Sequence, residues 1–521
     1  MRDRDWQIGL FGTFDVENYG DLLFPLIAEA ELTERLGAVN IDTFSYHAKT
    51  PPDWPYTVTS LAELPYMIGD LDGVLIGGGF LIRFDKEVAP GYGPPTPIHH
   101  PTGYWLTPAL IALQHGIPVI WNAPGAVGMD RNKIPAWADP LIRLALSLSL
   151  YVAVRDDLSK ALLARFADES QIEVVPDTAF GISRLLDGGP SSEFKRLCDT
   201  SGLNRPYIII QAAQGFDFFS RFVKKHAHRL QEFGFLALPI GPALGDNTQI
   251  LDIDLPFVRL PVWPHPLLLA ELISQSVAVI GHSYHLAITA LASGVPVFTP
   301  MELSVGRLSG LGGFENIFHL AKDSELDLDW FLERLRKTVS YSAVNEARDR
   351  LAQHWDRVAE VVRSGVTATQ PVVNRFWQSL PGLLETAQTR CEAAVKKSEV
   401  QTADLQRQVD EHTAALVAAE AQAAGVQRQV EGQTAALVAS EARAADLQLQ
   451  INDQCAAIMA LGAHRAQEKS RIDELNELLA LARTEIVARD DTVARLRNSP
   501  SWKVTAPLRF MMRNLKRLAG K

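Results

Sequence analysis

The stretch Ile280-Gly-His-Ser-Tyr-His-Leu-Ala-Ile-Thr-Ala-Leu-Ala-Ser-Gly-Val-Pro-Val297 carries an apolar run into a turn with two imidazoles and out into a helix of small residues. Val277 to Ile280 predicts a buried parallel strand. Leu286 to Ala292 predicts a helix able to pack closely on a sheet, with Gly294 as its stop. His282, Ser283 and His285 then fall at a strand's carboxyl end. Open α/β sheets bind ligands there, and the first N–H groups of the following helix can receive an anion. Each imidazole can equally be a satisfied structural residue, and both readings stay open.

Outward from this unit the pattern repeats. Ile8 to Thr13, Val74 to Ile76, Val119 to Asn122, Tyr151 to Val154 and Glu173 to Val175 read as buried strands, with amphipathic segments such as Leu22 to Leu36 and Leu158 to Phe166 between them. Turn residues at Asp187-Gly-Gly-Pro-Ser-Ser192 break the series. It restarts at Tyr207 to Gln211, Phe235 to Gly241, Val277 to Ile280 and Val295 to Phe298. The expected fold is therefore α/β, with two Rossmann-like domains over residues 1–188 and 193–340 and a cleft between them. A helical connection at 341–384 leads to a long α-helical coiled coil at 385–498 and a basic amphipathic tail at 499–521.

A chain of 521 residues is too long for one ordinary core. Its hydrophobic fraction of 47% is that of a globular protein, and a formal charge of −11 argues against a general nucleic-acid binder. Cys198, Cys391 and Cys455 have neither metal-type nor disulfide-type spacing, so a reducing compartment and no zinc site are expected. The start lacks a signal peptide's apolar segment, and no run is long and apolar enough for a transmembrane helix. These features predict a cytoplasmic protein.

After about residue 340 only helical pattern remains, and the sequence begins to copy itself. Leu405-Gln-Arg-Gln-Val409 returns 21 residues later as Val426-Gln-Arg-Gln-Val430 and again as Leu447-Gln-Leu-Gln-Ile451, an offset of three heptads. A second phase starts at Ile472, and the shift near Gly462 to Gln467 predicts a discontinuity in the seam. One continuous helix over 385–498 would reach about 170 Å. Such a rod cannot bury its stripe alone, so self-association is expected; the alternative is an Ala-rich, weakly held helix. The tail, with Leu508, Met511, Met512, Leu515 and Leu518 opposite a basic face, is suited to an anionic membrane surface, to a partner or to its own domain.

Several residues could do chemistry. Gly9-Leu-Phe-Gly-Thr-Phe-Asp-Val-Glu-Asn-Tyr-Gly-Asp21 forms a loop between the first strand and helix, where Gly20 permits close approach and Asn18 and Asp21 supply an amide and a carboxylate. Asp21 is either an N-cap or a catalytic acid or base. Gly77, Gly78 and Gly79 end another strand, either to let a ligand rest on their amides or for tight packing. Arg155 and Asp177 close two later strands as an anion clamp and its partner, or as a buried structural ion pair. Gly241 and Asp246 give the second domain a corresponding loop. No Gly-x-Ser-x-Gly or His-Glu-x-x-His motif is present, which weakens hydrolase and zincin readings. His99-His100 reads as a lid or surface element rather than a metal site.

Asn18-Tyr-Gly-Asp21, Ile76-Gly-Gly-Gly79, Val154-Arg-Asp156, Val175-Pro-Asp177 and His285 followed by Ala-Leu-Ala-Ser-Gly-Val-Pro-Val, in this order, resemble the polysaccharide pyruvyl transferase family over about residues 7 to 320. The resemblance implies two domains like those of GT-B glycosyltransferases. It also implies transfer of a pyruvyl group from phosphoenolpyruvate, a co-substrate, to sugar hydroxyls of a cell-surface polysaccharide precursor as a ketal, with no metal or other cofactor. Asp21 or His285 would be acid or base, with Asn18, Gly20, Gly77 to Gly79, Arg155, Asp177, Gly241, Asp246, His282 and Ser283 around the donor. The family often has Arg-Leu-His where this chain has Ser283-Tyr284-His285. Its donor-holding cation must then come from His282, Arg155 or Arg307, unless another donor or none is used. The tail from Ser499 to Arg509 is similar to a segment seen on bacterial surface-glycan transferases. The expected partners are a glycan or lipid-linked sugar acceptor and further copies of the chain, with peripheral membrane contact through the tail and no nucleic acid. Two other functions remain: a nucleotide-sugar glycosyltransferase, with Asp246 and Gly241 near ribose or phosphate, and a catalytically silent scaffold.

Overall fold

A computed structural model describes residues 4–48, 54–84, 86, 88–89, 91–93, 97–98, 102–127, 134–135, 137–186, 188–203, 205–248, 256–260, 262–304, 306–320, 326–336, 341–365, 367–434, 451–474 and 476. They divide into two compact units, Met1–Leu383 and Leu384–Lys521.

The first unit holds two parallel sheets. The strands in chain order are β1 (Trp6–Phe11), β2 (Val39–Ser45), β3 (Val58–Ser60), β4 (Gly73–Gly77), β5 (Ile82–Arg83), β6 (Val119–Asn122), β7 (Ala126–Val127), β8 (Tyr151–Val154), β9 (Ile172–Val174), β10 (Tyr207–Gln211), β11 (Gly234–Leu238), β12 (Val258–Arg259), β13 (Ala278–Ile280), β14 (Val297–Thr299) and β15 (Ile317–His319). One sheet runs β3-β2-β1-β4-β6-β8-β9, the other β12-β11-β10-β13-β14-β15, and β5 pairs with β7 as a small ribbon. In each large sheet the chain builds outward from a first strand, β1 or β10, then crosses to its other side at β4 or β13. That reversal opens a crevice at the strands' carboxyl ends. The two Rossmann-like domains give a GT-B-like fold.

The central strands are apolar throughout because both faces are covered by helices. Tyr207, Ile208, Ile209, Ile210 and Gln211 of β10 are all buried, as is every residue of β4 and of β6. Helices Tyr19–Leu36 and Tyr284–Ala292 follow β1 and β13 and meet each other. Tyr19 donates its backbone N–H to Ile240 O at 2.8 Å, and its hydroxyl lies 2.8 Å from Thr289 Oγ1. Every residue of Tyr284–Ala292 is buried, and the helix stops at Gly294, whose φ of +74° closes it.

Helix Ser342–Ser364 comes after the second sheet but packs on the first domain. Arg35 binds Asp356 at 2.7 Å, and Arg350 donates to Val174 O. Buried His354 sits between Tyr151 and Asn122. The tyrosine hydroxyl is 3.1 Å from Glu173 Oε2 and 3.0 Å from His354 Nδ1. Its single proton goes to the carboxylate, which can only accept, so Nδ1–H of His354 donates to the hydroxyl. Nε2 then holds the lone pair 2.8 Å from the Asn122 amide, and the donation runs consistently only with that amide's NH₂ facing it. Trp377, early in helix Gln370–Thr434, donates to Gln114 at 2.5 Å.

In the second unit residues 384–434 and 451–474 are helical. The His412 and His464 rings stack 6.0 Å apart, with Val409, Leu416 and Leu461 beside them. A continuous straight helix would separate those histidines by about 78 Å. The two stretches lie side by side instead, which corrects the picture of a single rod. Gly462 to Gln467, where the heptad phase shifts, stay helical. Residues 435–450 and 477–498 of the coiled coil, and the whole tail 499–521, lie outside the described residues.

Candidate functional site

The loop after β1 sets the first wall. Phe14 N–H donates to Ser45 Oγ at 2.7 Å, and Ser45 donates to Gly12 O at 2.7 Å, so the chain leaves the sheet in a fixed direction. Asn18 occupies the N-cap position of helix Tyr19–Leu36, but its side chain does not cap. Its amide NH₂ donates instead to Asp21 Oδ2 at 2.7 Å, and Thr13 Oγ1 donates to the same oxygen at 2.7 Å. Asp21 is thus a carboxylate of the first helical turn, held by two side-chain donors, and not the N-cap.

At Gly20 the two domains pack closely. A Cβ there would lie 1.7 Å from His285 Nδ1, so only glycine admits the imidazole. The His285 ring also meets the Phe24 edge at 5.6 Å. The imidazole of the second half therefore rests against the residue next to Asp21.

Beyond it lies a buried charge cluster. Asp177 Oδ2 is 3.7 Å from His285 Nε2 and 3.5 Å from Arg155 Nη1, ion-pair distances longer than hydrogen bonds. Burial pushes the Asp177 carboxyl up, but the fields of His285 and Arg155 and the N–H of Ala179 outweigh it and hold it below the ordinary carboxylate value. The Arg155 guanidinium carbon lies 3.3 Å from the Phe80 ring centroid and 4.3 Å from that of Tyr284. Among the described residues, Arg155 Nη2, Asp177 Oδ2 and His285 Nε2 are buried without a hydrogen-bond partner. One cation, one anion and one imidazole thus each keep unspent bonding capacity at one point. A cavity of about 400 Å³ adjoins Arg155 and Asp177, lined also by Asp156, Tyr284, Phe314 and Arg350 but not by His285.

The second domain's loops form a separate network about Gln211, a residue that carried no motif in the sequence. Its Oε1 accepts from the backbone N–H groups of His282 and Ser283, both at 2.9 Å. Those two amides lie just before the helix that starts at Tyr284, and both are bonded to this neutral carbonyl. Gln211 Nε2 donates to Asp246 Oδ2 at 2.8 Å and lies 3.3 Å from His282 Nε2. Ile240 N–H also donates to Asp246 Oδ2, at 3.1 Å, and the Asp246 N–H reaches back to Gly241 O at 3.2 Å. Burial pushes the Asp246 carboxyl up to about 6 against these bonds.

Other expected positions read differently. On the side where a Cβ would project, Gly77 meets Leu10, Gly78 meets the Phe24 ring, and Gly79, at φ +71°, meets Asp21 Oδ1 at 2.9 Å. The glycines serve close packing on that side. Ser283 is the N-cap of Tyr284–Ala292 but makes no side-chain cap. His99 and His100 lie outside the described residues, as does the side chain of Arg307. Among the described residues no group of three or more His, Cys, Asp or Glu is placed to hold a metal, and no helix is long and apolar enough to cross a membrane.

No curated protein sequence matches the chain significantly. Among solved structures it is similar to a UDP-GlcNAc 2-epimerase from Methanocaldococcus jannaschii, at 12% identity and a TM-score of 0.45, covering 70% of this chain and 100% of that one. It is also similar to the Neisseria meningitidis UDP-GlcNAc 2-epimerase bound to UDP-GlcNAc, at 14% identity and a TM-score of 0.40, covering 72% of this chain and 99% of that one. A UDP-forming α,α-trehalose-phosphate synthase from Burkholderia vietnamiensis shares 12% identity at a TM-score of 0.35, covering 73% of this chain and 97% of that one. Likenesses this distant carry no argument about activity. Residues 18–299, more than half of the chain, match the family described as polysaccharide pyruvyl transferase. They take in Asp21, Gly77 to Gly79, Arg155, Asp177 and His285, and on that match the chain belongs to the polysaccharide pyruvyl transferase family.

Proposed function

We propose that the protein transfers the pyruvyl group of phosphoenolpyruvate to a sugar of a cell-surface polysaccharide precursor. The observation that supports this most is the convergence of Arg155, Asp177 and His285, ion-paired but each with a buried polar atom that makes no hydrogen bond, beside the helix that bears Asp21. An anionic donor needs a cation kept from bulk water, and Arg155, 1% exposed, is that cation where the family often has another arginine before its histidine. Proton movement needs an imidazole paired with a carboxylate, and His285 with Asp177 supplies it.

Protonation of the enol methylene carbon makes it a methyl group and leaves an oxocarbenium-like centre. A first sugar hydroxyl adds, phosphate departs with the electrons of its C–O bond, and a second hydroxyl closes the ketal. Of the two hydroxyl protons, one balances the proton taken up by carbon and the other leaves with phosphate. His285 or Asp21 delivers and collects them, and Arg155 steadies the donor's negative charge. The acceptor is a glycan or lipid-linked sugar.

The test is phosphate release from phosphoenolpyruvate in the presence and absence of acceptor glycan. Release should depend on the acceptor and fall by at least about 100-fold in His285→Ala. Unchanged release in that variant would remove His285 from the mechanism; saturation by nucleotide sugars with no response to phosphoenolpyruvate would replace the donor.

A further inference from the structure

We propose that Gln211 is a positioning residue that keeps His282 neutral, with its proton on Nδ1, and fixes the start of the helix carrying His285. Two backbone donors settle which way the Gln211 amide points. The N–H groups of His282 and Ser283 both converge on one end of it at 2.9 Å, and only the oxygen can accept them. The other end is then NH₂, which suits its 2.8 Å bond to the acceptor Asp246 Oδ2.

That NH₂ group also faces His282 Nε2 at 3.3 Å. A donor faces an acceptor only if Nε2 carries a lone pair, so the ring proton sits on Nδ1. A second proton on Nε2 would set N–H against N–H. Phe216 holds the ring from one face, stacked at 5.6 Å and 8°. Asp246 Oδ2 accepts from the same Gln211 amide and from Ile240 N–H. His282 is therefore not the cation that replaces the family's arginine.

The arrangement needs an amide. Gln211 is 3% exposed at the end of β10 and ties the loop after β11, through Asp246, to the turn after β13. A Cβ at Gly281 would come within 2.8 Å of Gln211 Oε1, so the turn is shaped to this side chain. The bond to Ser283 N–H lies two residues before His285. A carboxylate in place of the amide could still accept the two backbone bonds, but it would face Asp246 with like charge and His282 Nε2 with an acceptor.

Ring-nitrogen NMR of the intact chain tests this without reference to activity. In the wild type His282 should be the neutral Nδ1–H tautomer at pH 7. In Gln211→Leu the preference for Nδ1–H should be lost. In Gln211→Glu it should be protonated at neutral pH, because its neighbour has changed from donor to acceptor. An Nε2–H tautomer or a doubly protonated ring in the wild type at pH 7 would overturn the proposal, and that measurement needs no variant to fold. The kinetic arm rests on the pyruvyl-transfer reading: Gln211→Glu should lower kcat on the order of 10- to 100-fold with KM for phosphoenolpyruvate changed less than about threefold. An unchanged kcat with the NMR result intact would remove the positioning of His285 by Gln211, a wild type without phosphate release would count against the donor assignment alone, and a failed NMR result sinks the role of Gln211.

Discussion

Asp246 shows how little of this site could be read from side-chain identity. In sequence it was a carboxylate after a glycine-bearing loop, suited to ribose or phosphate. In the structure its Oδ2 is filled by Ile240 and Gln211, and its Oδ1 is buried without a partner among the described residues. Burial raises its value to about 6 from 3.8. Its stabilising contribution is therefore complete below about pH 4 and is lost as pH rises through about 6. Asp246→Asn should remove this dependence, so that between pH 4 and 7 stability relative to wild type changes by on the order of 2 kcal/mol in the variant's favour. Melting curves of the two proteins that stay parallel over that range would refute the assignment. Arg155, Asp177 and His285 were readable because each follows a strand end; Gln211 was not, because it is the last residue of an apolar run and nothing local marks its amide as a bridge.

The same contrast holds for strands and helices. Val119–Asn122, Tyr151–Val154 and Tyr207–Gln211 stand where their apolar runs placed them, since a strand covered on both faces must be continuously apolar. β2 was missed: Val39-Asn-Ile-Asp-Thr-Phe-Ser45 alternates with polar residues, and its first half is only partly buried. β3, β12 and β15, of two or three residues each, are too short to show a period. The sequence pattern predicts helix over Ser342–Ser364, but nothing local reveals that it carries His354 into the first domain. Burial, then Arg35, lowers the His354 value to about 3 from 6.5. Its contribution is present above about pH 6.5 and is lost as pH falls toward 3, by at most about 1.4 kcal/mol per pH unit. His354→Leu should lose about 2 kcal/mol at pH 7, with the Asn122 amide left unsatisfied and Tyr151 keeping only its bond to Glu173, yet decline less on acidification. The melting temperatures of variant and wild type should therefore converge between pH 6.5 and 4; a constant gap would mean that His354 does not titrate on unfolding.

The two compact units, Met1–Leu383 and Leu384–Lys521, separate the chemistry from the self-association expected of the repeats. Within the second unit the pairing around His412 and His464 leaves Val400, Val417, Met459 and Leu461 exposed, at 45% or more. Repeats of 21 residues place such apolar positions at heptad spacing along the helix, where more helices of the same kind can cover them. We propose that further copies of the chain do so. All the residues assigned to pyruvyl transfer lie before Leu384, and each large sheet has its own buried apolar core. A chain ending at residue 384 should therefore be monomeric by light scattering while the full chain is not, and it should keep acceptor-dependent phosphate release within about threefold when a soluble acceptor is in excess. If the shortened chain scatters as the same assembly, the α/β unit holds the oligomer. If it is monomeric but inactive, catalysis needs a neighbouring copy, and Arg155, Asp177 and His285 are not a complete site within one chain.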